Sequence, residues 1–293
     1  MSPHRNGDQL RLALPKGHMQ KSVLQLIADA GIRLDGSERD YRPRISLANT
    51  NVKLLKPQNI VEMLQVGSRD IGFAGRDWVV ELELDEELEE LLDTGLDPVR
   101  LVAAAPISLL QDGKLPRQKF VVASEYERIS RDWIAAQGLD ATLVRSFGAT
   151  EVFPPEDADI IVDNTATGST LRQNQLAIVD ELLLSSTRLY ANRDARDNPM
   201  LRGRIDDLVL LLRSVLDARQ RVMLELNCPQ DKIEEVIALL PAMRRPTVAP
   251  LYGEDGFAVK AAVPRAMLPE LIPQLRAHGG TDIVVTALDH LVT

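Results

Sequence analysis

The chain has a single cysteine, Cys228, in 293 residues. That excludes an intrachain disulfide framework and any zinc site built from several cysteines, and it suits a reducing, cytoplasmic compartment. Positive charge is also in deficit: 34 lysines and arginines against 43 aspartates and glutamates give a formal net charge of −9. So acidic a chain is not a general binder of nucleic acid or of anionic membrane surfaces, although a local basic pocket stays open to it. No apolar run is long enough to span a bilayer. Residues 1–9 are short and polar and lack the apolar core of an export signal.

What is present is a globular composition, 45% hydrophobic and 26% charged, at a length that allows about two domains. Residues 10–14 predict a short apolar strand, and Pro15, Lys16 and Gly17 a turn. Val23, Leu26, Ile27 and Ala30 then recur at helical spacing up to Gly31. Lys16 thus stands at the end of a first strand, where open α/β sheets bind ligands. It reads either as a point charge for a phosphate or as a solvated turn lysine. Pro57 predicts a helix start with Ile60, Val61 and Leu64 on its apolar face. A strand and glycine turn follow at 69–75. Residues 81–93, with carboxylates nearly all round, predict a solvated acidic helix or a loop insertion. Further strands are predicted at 99–105, 120–123, 142–144 and 187–191, and helices at 133–137 and 198–218. This alternation argues for an α/β fold. From Arg221 the order becomes strand, helix, two strands around a turn at 253–256, helix and last strand, the βαββαβ order of a ferredoxin-like unit.

The most informative stretch is 159–170, Asp-Ile-Ile-Val-Asp-Asn-Thr-Ala-Thr-Gly-Ser-Thr. Ile160, Ile161 and Val162 read as a buried strand that delivers Asp163 and Asn164 at its end. A loop of small residues follows, with Gly168 inside it, and Leu171 to Leu176 can start a helix. Loop N–H groups and a helix N-terminus favour an anion there. Thr167, Ser169 and Thr170 add hydroxyls, and Gly168 permits close approach or a positive φ. Asp163, acceptor-only when ionised, suits a sugar diol or a metal-bound water. Taken alone, the stretch is either an ordinary strand-to-helix turn or a phosphate cradle. As a cradle it resembles the phosphoribosyl-diphosphate (PRPP) signature of phosphoribosyltransferases, with Asn164 in the place of the usual second acid.

The rest of the chain extends that resemblance. Leu14-Pro15-Lys16-Gly17, Asp70-Ile71-Gly72 through Gly75-Arg76-Asp77, Tyr126, Gly148 and Glu151, and Asp163 with Thr167-Gly168-Ser169-Thr170-Leu171 occur in order. They are followed by 236–241 with Arg245-Pro246-Thr247 and Pro250-Leu251. Together they are similar to the long-form ATP phosphoribosyltransferases, the first enzymes of histidine biosynthesis, over nearly the whole chain. The resemblance implies a bilobal catalytic domain like a periplasmic binding protein and a C-terminal ferredoxin-like regulatory domain. The first lobe would hold residues 1–96 and 189–218, the second 97–188 with the PRPP loop, and the regulatory domain 219–293.

The implied reaction joins N1 of the adenine of ATP to C1 of the ribose of PRPP with inversion, releasing diphosphate, with Mg²⁺ as cofactor. Lys16 would assist the departing diphosphate, Thr167 to Thr170 would hold the 5′-phosphate, Asp163 the ribose hydroxyls, and Glu151 a substrate or the metal's water shell. No residue declares itself as a general base, and no direct metal ligand is assigned. The resemblance further implies inhibition by L-histidine at a site including Thr247 and Asn227, and a homo-oligomer, a hexamer on family grounds. Asn227 departs from the acid that family members can carry there, so Asn227→Asp is expected to tighten inhibition. Other departures are Asn164, Ala166, Ala74, His18, Lys56 and Asn59. The competing readings are a bilobal binding protein without chemistry, another phosphoribosyltransferase, and a silent family member. The first lacks an export signal or DNA-binding domain, the second leaves the C-terminal unit unexplained, and the third is disfavoured by the presence of Lys16, Asp163, Gly168 and Thr170.

Overall fold

The computed structural model of the chain describes residues 9–36, 40–253 and 255–292. Of the polar stretch 1–9, all but Gln9 lies outside the described residues, as does Glu254 in the predicted C-terminal turn. The chain divides into two compact units, Met1–Gln25 with Ile32–Asp206, and Leu26–Gly31 with Asp207–Thr293.

The first unit opens with β1 (Leu10–Pro15), α1 (Gln20–Asp29), the two short strands β2 (Leu34–Asp35) and β3 (Arg44–Ile45), β4 (Thr50–Leu55) and α2 (Pro57–Gln65). Next come β5 (Ile71–Gly75), α3 (Arg76–Glu81), β6 (Glu89–Pro106), β7 (Phe120–Ser124), α4 (Glu127–Gln137) and β8 (Ala141–Arg145). It continues with β9 (Ile160–Thr165), α5 (Ser169–Gln173), β10 (Leu176–Ala191) and α6 (Arg193–Asp197), and leads into α7 (Pro199–Gln220). Eight strands form one sheet in the order β4-β1-β5-β10-β6-β9-β7-β8. It has two parallel wings, β4-β1-β5 and β9-β7-β8. The long antiparallel pair β6/β10 joins them. This is the two-lobed arrangement of a periplasmic-binding-protein-like catalytic domain.

Strands covered on both faces read as continuous apolar runs rather than alternating ones. Ala103, Ala104 and Ala105 on β6 and Ile160, Ile161 and Val162 on β9 are accordingly all fully buried. One wing packs Ile60, Val61 and Leu64 of α2 over Ala13 and Ala74. Gly72 permits that approach, because a Cβ there would meet Ile60 Cγ2 at 2.6 Å. The other wing packs Phe120, Val122, Tyr126, Ile129 and Trp133 around Ile160 and Val162.

Two local expectations fail. The acidic segment 81–93 is not a helix: α3 ends at Glu81, and Glu89 begins the 18-residue strand β6. Leu88, Leu92 and Thr94 turn inward there. Arg188 answers Glu90 at 2.5 Å and Asp93 at 3.1 Å, and Arg202 answers Glu89 at 3.0 Å. The carboxylates are thus paired with arginines far along the chain, which no local charge pattern reveals. The helix expected to start within Leu171 to Leu176 begins earlier and is short. α5 covers only Ser169–Gln173, Gln175 takes a positive φ of 56°, and β10 starts at Leu176.

The second unit is ferredoxin-like: β11 (Arg221–Cys228), α8 (Ile233–Leu239), β12 (Thr247–Pro250), β13 (Phe257–Pro264), α9 (Leu268–Ala277) and β14 (Thr281–Ala287). Its antiparallel sheet runs β12-β13-β11-β14. Val222, Leu224, Leu226 and Cys228 alternate along β11 into a core with Val236, Val259, Val263, Leu271 and Leu275.

Candidate active site

The carboxyl ends of the parallel strands converge on one cavity of about 490 Å³ in the first unit. Such strand ends are where open α/β sheets bind ligands. The end of β1 brings Lys16, the start of α2 Gln58, and α3 Asp77 and Trp78. Glu125 and Tyr126 come from the turn after β7, Glu151 from the loop after β8, and Asp163 and Asn164 from β9. Thr167, Ser169 and Thr170 complete the rim from the loop at α5, while Asp97 on β6 and Ser185 to Thr187 on β10 close the opposite side. Six of the residues singled out in the first unit, Lys16, Glu151, Asp163, Thr167, Ser169 and Thr170, therefore line the same space.

Asp163 is the electrostatic centre. Its carboxyl is pushed up to about 7, chiefly by burial, with Glu151 and Glu125 adding like charge; the Asn164 N–H and the Thr150 hydroxyl oppose the shift. The Asn164 N–H donates to Asp163 Oδ1 at 2.7 Å. Beside it, Gly168 adopts φ +71°, the left-handed conformation that glycine takes without strain. The loop is braced from within: the Gly168 N–H donates to Thr165 Oγ1 at 3.0 Å, and Arg172 Nη1 donates to the Thr167 carbonyl at 3.0 Å. With a single turn of helix behind it, the loop itself, more than a helix dipole, is what an anion meets.

A polar chain, buried at Asp77, Tyr126 and Ser185, ends on Asn164 at the cavity. Tyr126, stacked on Trp78 with ring centroids 4.7 Å apart, donates its hydroxyl to Asp77 Oδ2 at 2.5 Å. Ser185 donates to Asp77 Oδ1 at 2.8 Å, and Asn164 Nδ2 donates to the Tyr126 oxygen at 2.9 Å. Burial and the neighbouring Asp77 hold the Tyr126 phenol well above its ordinary range, so it stays protonated. Glu81, at the end of α3, accepts from the N–H groups of Arg128 and Ile129 at 2.9 and 3.0 Å and thereby caps α4 behind Tyr126. Asp97, at φ +47°, accepts from the hydroxyls of Ser22 and Thr187. Among the described residues, no group of three or more His, Cys, Asp or Glu side chains is arranged to hold a metal ion.

Asn227 and Thr247 lie in the second unit, on the sheet face opposite the buried Leu224 and Leu226. Thr247 pairs with Lys260, and Lys260 with Glu225, two residues before Asn227. Asn227 Nδ2 donates to Asp282 Oδ2 at 3.2 Å.

Residues 56–214 match the family described as HisG, ATP phosphoribosyltransferase, and residues 218–290 match the HisG C-terminal domain. An ATP phosphoribosyltransferase of Chlorobium luteolum is 35% identical over 286 residues, covering 97% of each chain. The chain belongs to the ATP phosphoribosyltransferase family. Carrying both domains, it is of the long form. Another ATP phosphoribosyltransferase, of Pelotomaculum thermopropionicum, is 34% identical over 291 residues, 97% of this chain and 99% of that one. Among solved structures, a chain of the ATP phosphoribosyl transferase (HisG:HisZ) complex from Thermotoga maritima superposes with a TM-score of 0.63 at 23% identity, covering 71% of this chain and 99% of that one. That likeness supports the fold of the catalytic domain.

Gln58, Asp97, Glu125 and Ser185 join the site without being candidates from the sequence. Glu125 had a signal, since it lies two residues past a predicted strand at a carboxyl end. Asp97 sits between Gly95 and Pro98, a break inside what becomes one strand. Ser185 had none, because its role comes from the pairing of β10 with β6.

Proposed function

We propose that this chain transfers the phosphoribosyl group of PRPP to N1 of ATP, with inversion and release of diphosphate, the first step of histidine biosynthesis, in the cavity just described. The observation that carries this reading is the gathering of Lys16, Glu151, Asp163 and the Thr167, Ser169 and Thr170 hydroxyls around one space in a chain of this family. The loop from Thr167 to Thr170 receives the 5′-phosphate. Asp163, ionised, accepts from the ribose hydroxyls, and their O–H donors offset the burial that otherwise favours its protonated form. Lys16 meets the diphosphate as negative charge develops on it. Holding both substrates in line supplies much of the acceleration.

Mg²⁺ fits this donor set: it keeps several waters and binds through one or two carboxylates plus substrate phosphates, without a cage of protein ligands. Asp163 and Glu151 are the carboxylates placed to orient its water shell. When bound it neutralises diphosphate charge.

The second unit is proposed to bind L-histidine on the face that carries Asn227 and Thr247. Asp282, hydrogen-bonded to Asn227, supplies the carboxylate for the ligand's amino group that an acid at 227 would bring. A homo-oligomer, a hexamer by family resemblance, and a cytoplasmic site of action complete the proposal. Among the described residues, no helix is long and apolar enough to cross a membrane. Incubation with PRPP, ATP and Mg²⁺ tests the reading: diphosphate release that stops on chelation supports it, and clean protein without turnover refutes it.

A further inference from the structure

The direction of one hydroxyl explains the amide at 164. A phenol has a single hydrogen, and Tyr126 commits it to Asp77 at 2.5 Å. Asp77 is only 5% exposed, and its other oxygen is occupied by Ser185. Any group that faces the Tyr126 oxygen from β9 must therefore donate. The Asn164 amide does so at 2.9 Å, whereas an ionised carboxylate cannot. Asp77 follows β5, Tyr126 follows β7 and Asn164 lies near the end of β9, so the chain of bonds ties both parallel wings of the sheet to the strand that presents Asp163.

We propose that Tyr126 and Asn164 are positioning residues that hold the end of β9, and with it Asp163 and the phosphate loop, against Asp77, and that the amide at 164 is required by the direction of the Tyr126 hydroxyl. The inference rests on the phosphoribosyl-transfer reading of this cavity. It assigns a cause to the missing second acid of the PRPP signature. A carboxylate at 164 would confront the Asp77–Tyr126 pair on one side and Asp163 beside it on β9. Glu125 precedes Tyr126, and Glu151 lines the same cavity. The guanidinium of Arg100, whose residue pairs with Thr165 from β6, is taken up by Glu181 at 3.0 Å.

The test is steady-state kinetics of the full chain, varying PRPP between pH about 6 and about 8.5, a window in which a carboxyl crowded by like charges titrates. The variants are Tyr126→Phe, Asn164→Leu and Asn164→Asp. Tyr126→Phe keeps the ring on Trp78 and, like Asn164→Leu, should raise KM for PRPP about tenfold, the worth of a hydrogen bond, with KM for ATP little changed. Asn164→Asp should lose more than Asn164→Leu at the alkaline end. Relative to the parent at each pH it should recover on acidification, when a protonated carboxyl can again donate to Tyr126. The Asn164→Leu ratio should stay flat. A flat ratio for Asn164→Asp, or an unchanged KM for PRPP in Tyr126→Phe, overturns the proposal. Calorimetric binding of PRPP to the same proteins separates the two readings: a parent that binds PRPP but does not turn over refutes the transferase reading, while the order of variant affinities still decides the role of the pair.

Discussion

Lys16 holds its ammonium 3.5 Å from the centroid of the Tyr41 ring. Tyr41 is 58% exposed, and a cation on an exposed aromatic face is held by only about 0.5–1 kcal/mol. The lysine is therefore poised in the cavity yet easily surrendered to an incoming diphosphate. Lys16→Met should lower kcat about a hundredfold, the scale for removing one preorganised group from developing negative charge. Tyr41→Leu should change kcat by less than about threefold, the equivalent of the weak contact it removes. Steady-state kinetics of both variants checks the ratio.

Asp163 gives a pH signature. Its folded value of about 7 lies above the ordinary aspartate value of about 3.9. The folded state therefore binds the proton more readily, and the stability this contributes is fully present below about pH 4 and lost as pH rises through about 7. Asp163→Asn, which removes the charge and keeps the shape, should raise the Tm of the free protein at pH about 8, and the gain should vanish near pH 4. The same substitution should cost roughly 1–3 kcal/mol in PRPP binding, the range for a hydrogen bond to a charged group. In the parent, PRPP affinity should rise with pH through about 7, because only the ionised carboxylate accepts from two hydroxyls. Thermal melts and calorimetry across pH check both signs.

Gly168 stands at φ +71°, and a Cβ there would lie 3.2 Å from Arg172 Nη1. Gly168→Val combines left-handed backbone strain with β-branching, and Gly168→Ala carries the strain alone. PRPP affinity should fall in the order parent, Ala, Val, with the valine variant weakened at least about tenfold, corresponding to strain of roughly 1–3 kcal/mol. KM for ATP, measured at saturating PRPP, should move less.

For regulation, sequence alone favours Asn227→Asp as a tightening change. Because Asn227 donates to Asp282 at 3.2 Å, that substitution sets two carboxylates against each other. Asp282→Asn is the more informative variant: it should raise the histidine concentration for half-inhibition about tenfold, the cost of replacing a charge-assisted hydrogen bond. Inhibition curves against L-histidine check it, and unchanged curves would place the amino group of the effector elsewhere.

Much of this was legible in the residues. β11 places a buried apolar residue at every second position, α2 and α7 keep helical periodicity, and the run Ile160 to Val162 announces a strand that delivers Asp163 near its end. Lys16 could be placed because it follows a short apolar strand. What escaped was long-range. Residues 81–93 look like a solvated helix because Arg188 and Arg202, which pair with Glu89, Glu90 and Asp93, lie about a hundred positions away. The strands at 99–105 and 187–191 showed only the C-terminal parts of β6 and β10. The first half of β6, 89–98, is polar and holds Gly95 and Pro98, and the first part of β10 is interrupted by Asp180 and Glu181; both are strands because β6 and β10 pair along their whole length, with register shifts on the way. Asp97 and Ser185 reach the cavity through that pairing; Asp97 is marked only by the Gly95 and Pro98 that flank it, and no local pattern marks Ser185.

Phosphoribosyl transfer to ATP in the cavity around Asp163 is tested most directly by incubating the parent and Asp163→Asn side by side with PRPP, ATP and Mg²⁺ while following diphosphate release together with the absorbance of an N1-ribosylated adenine. The parent should give equal molar amounts of diphosphate and ribosylated product, and Asp163→Asn a rate at least about tenfold lower at sub-saturating PRPP. Equal rates in the two proteins, or diphosphate release without a ribosylated adenine, would contradict it.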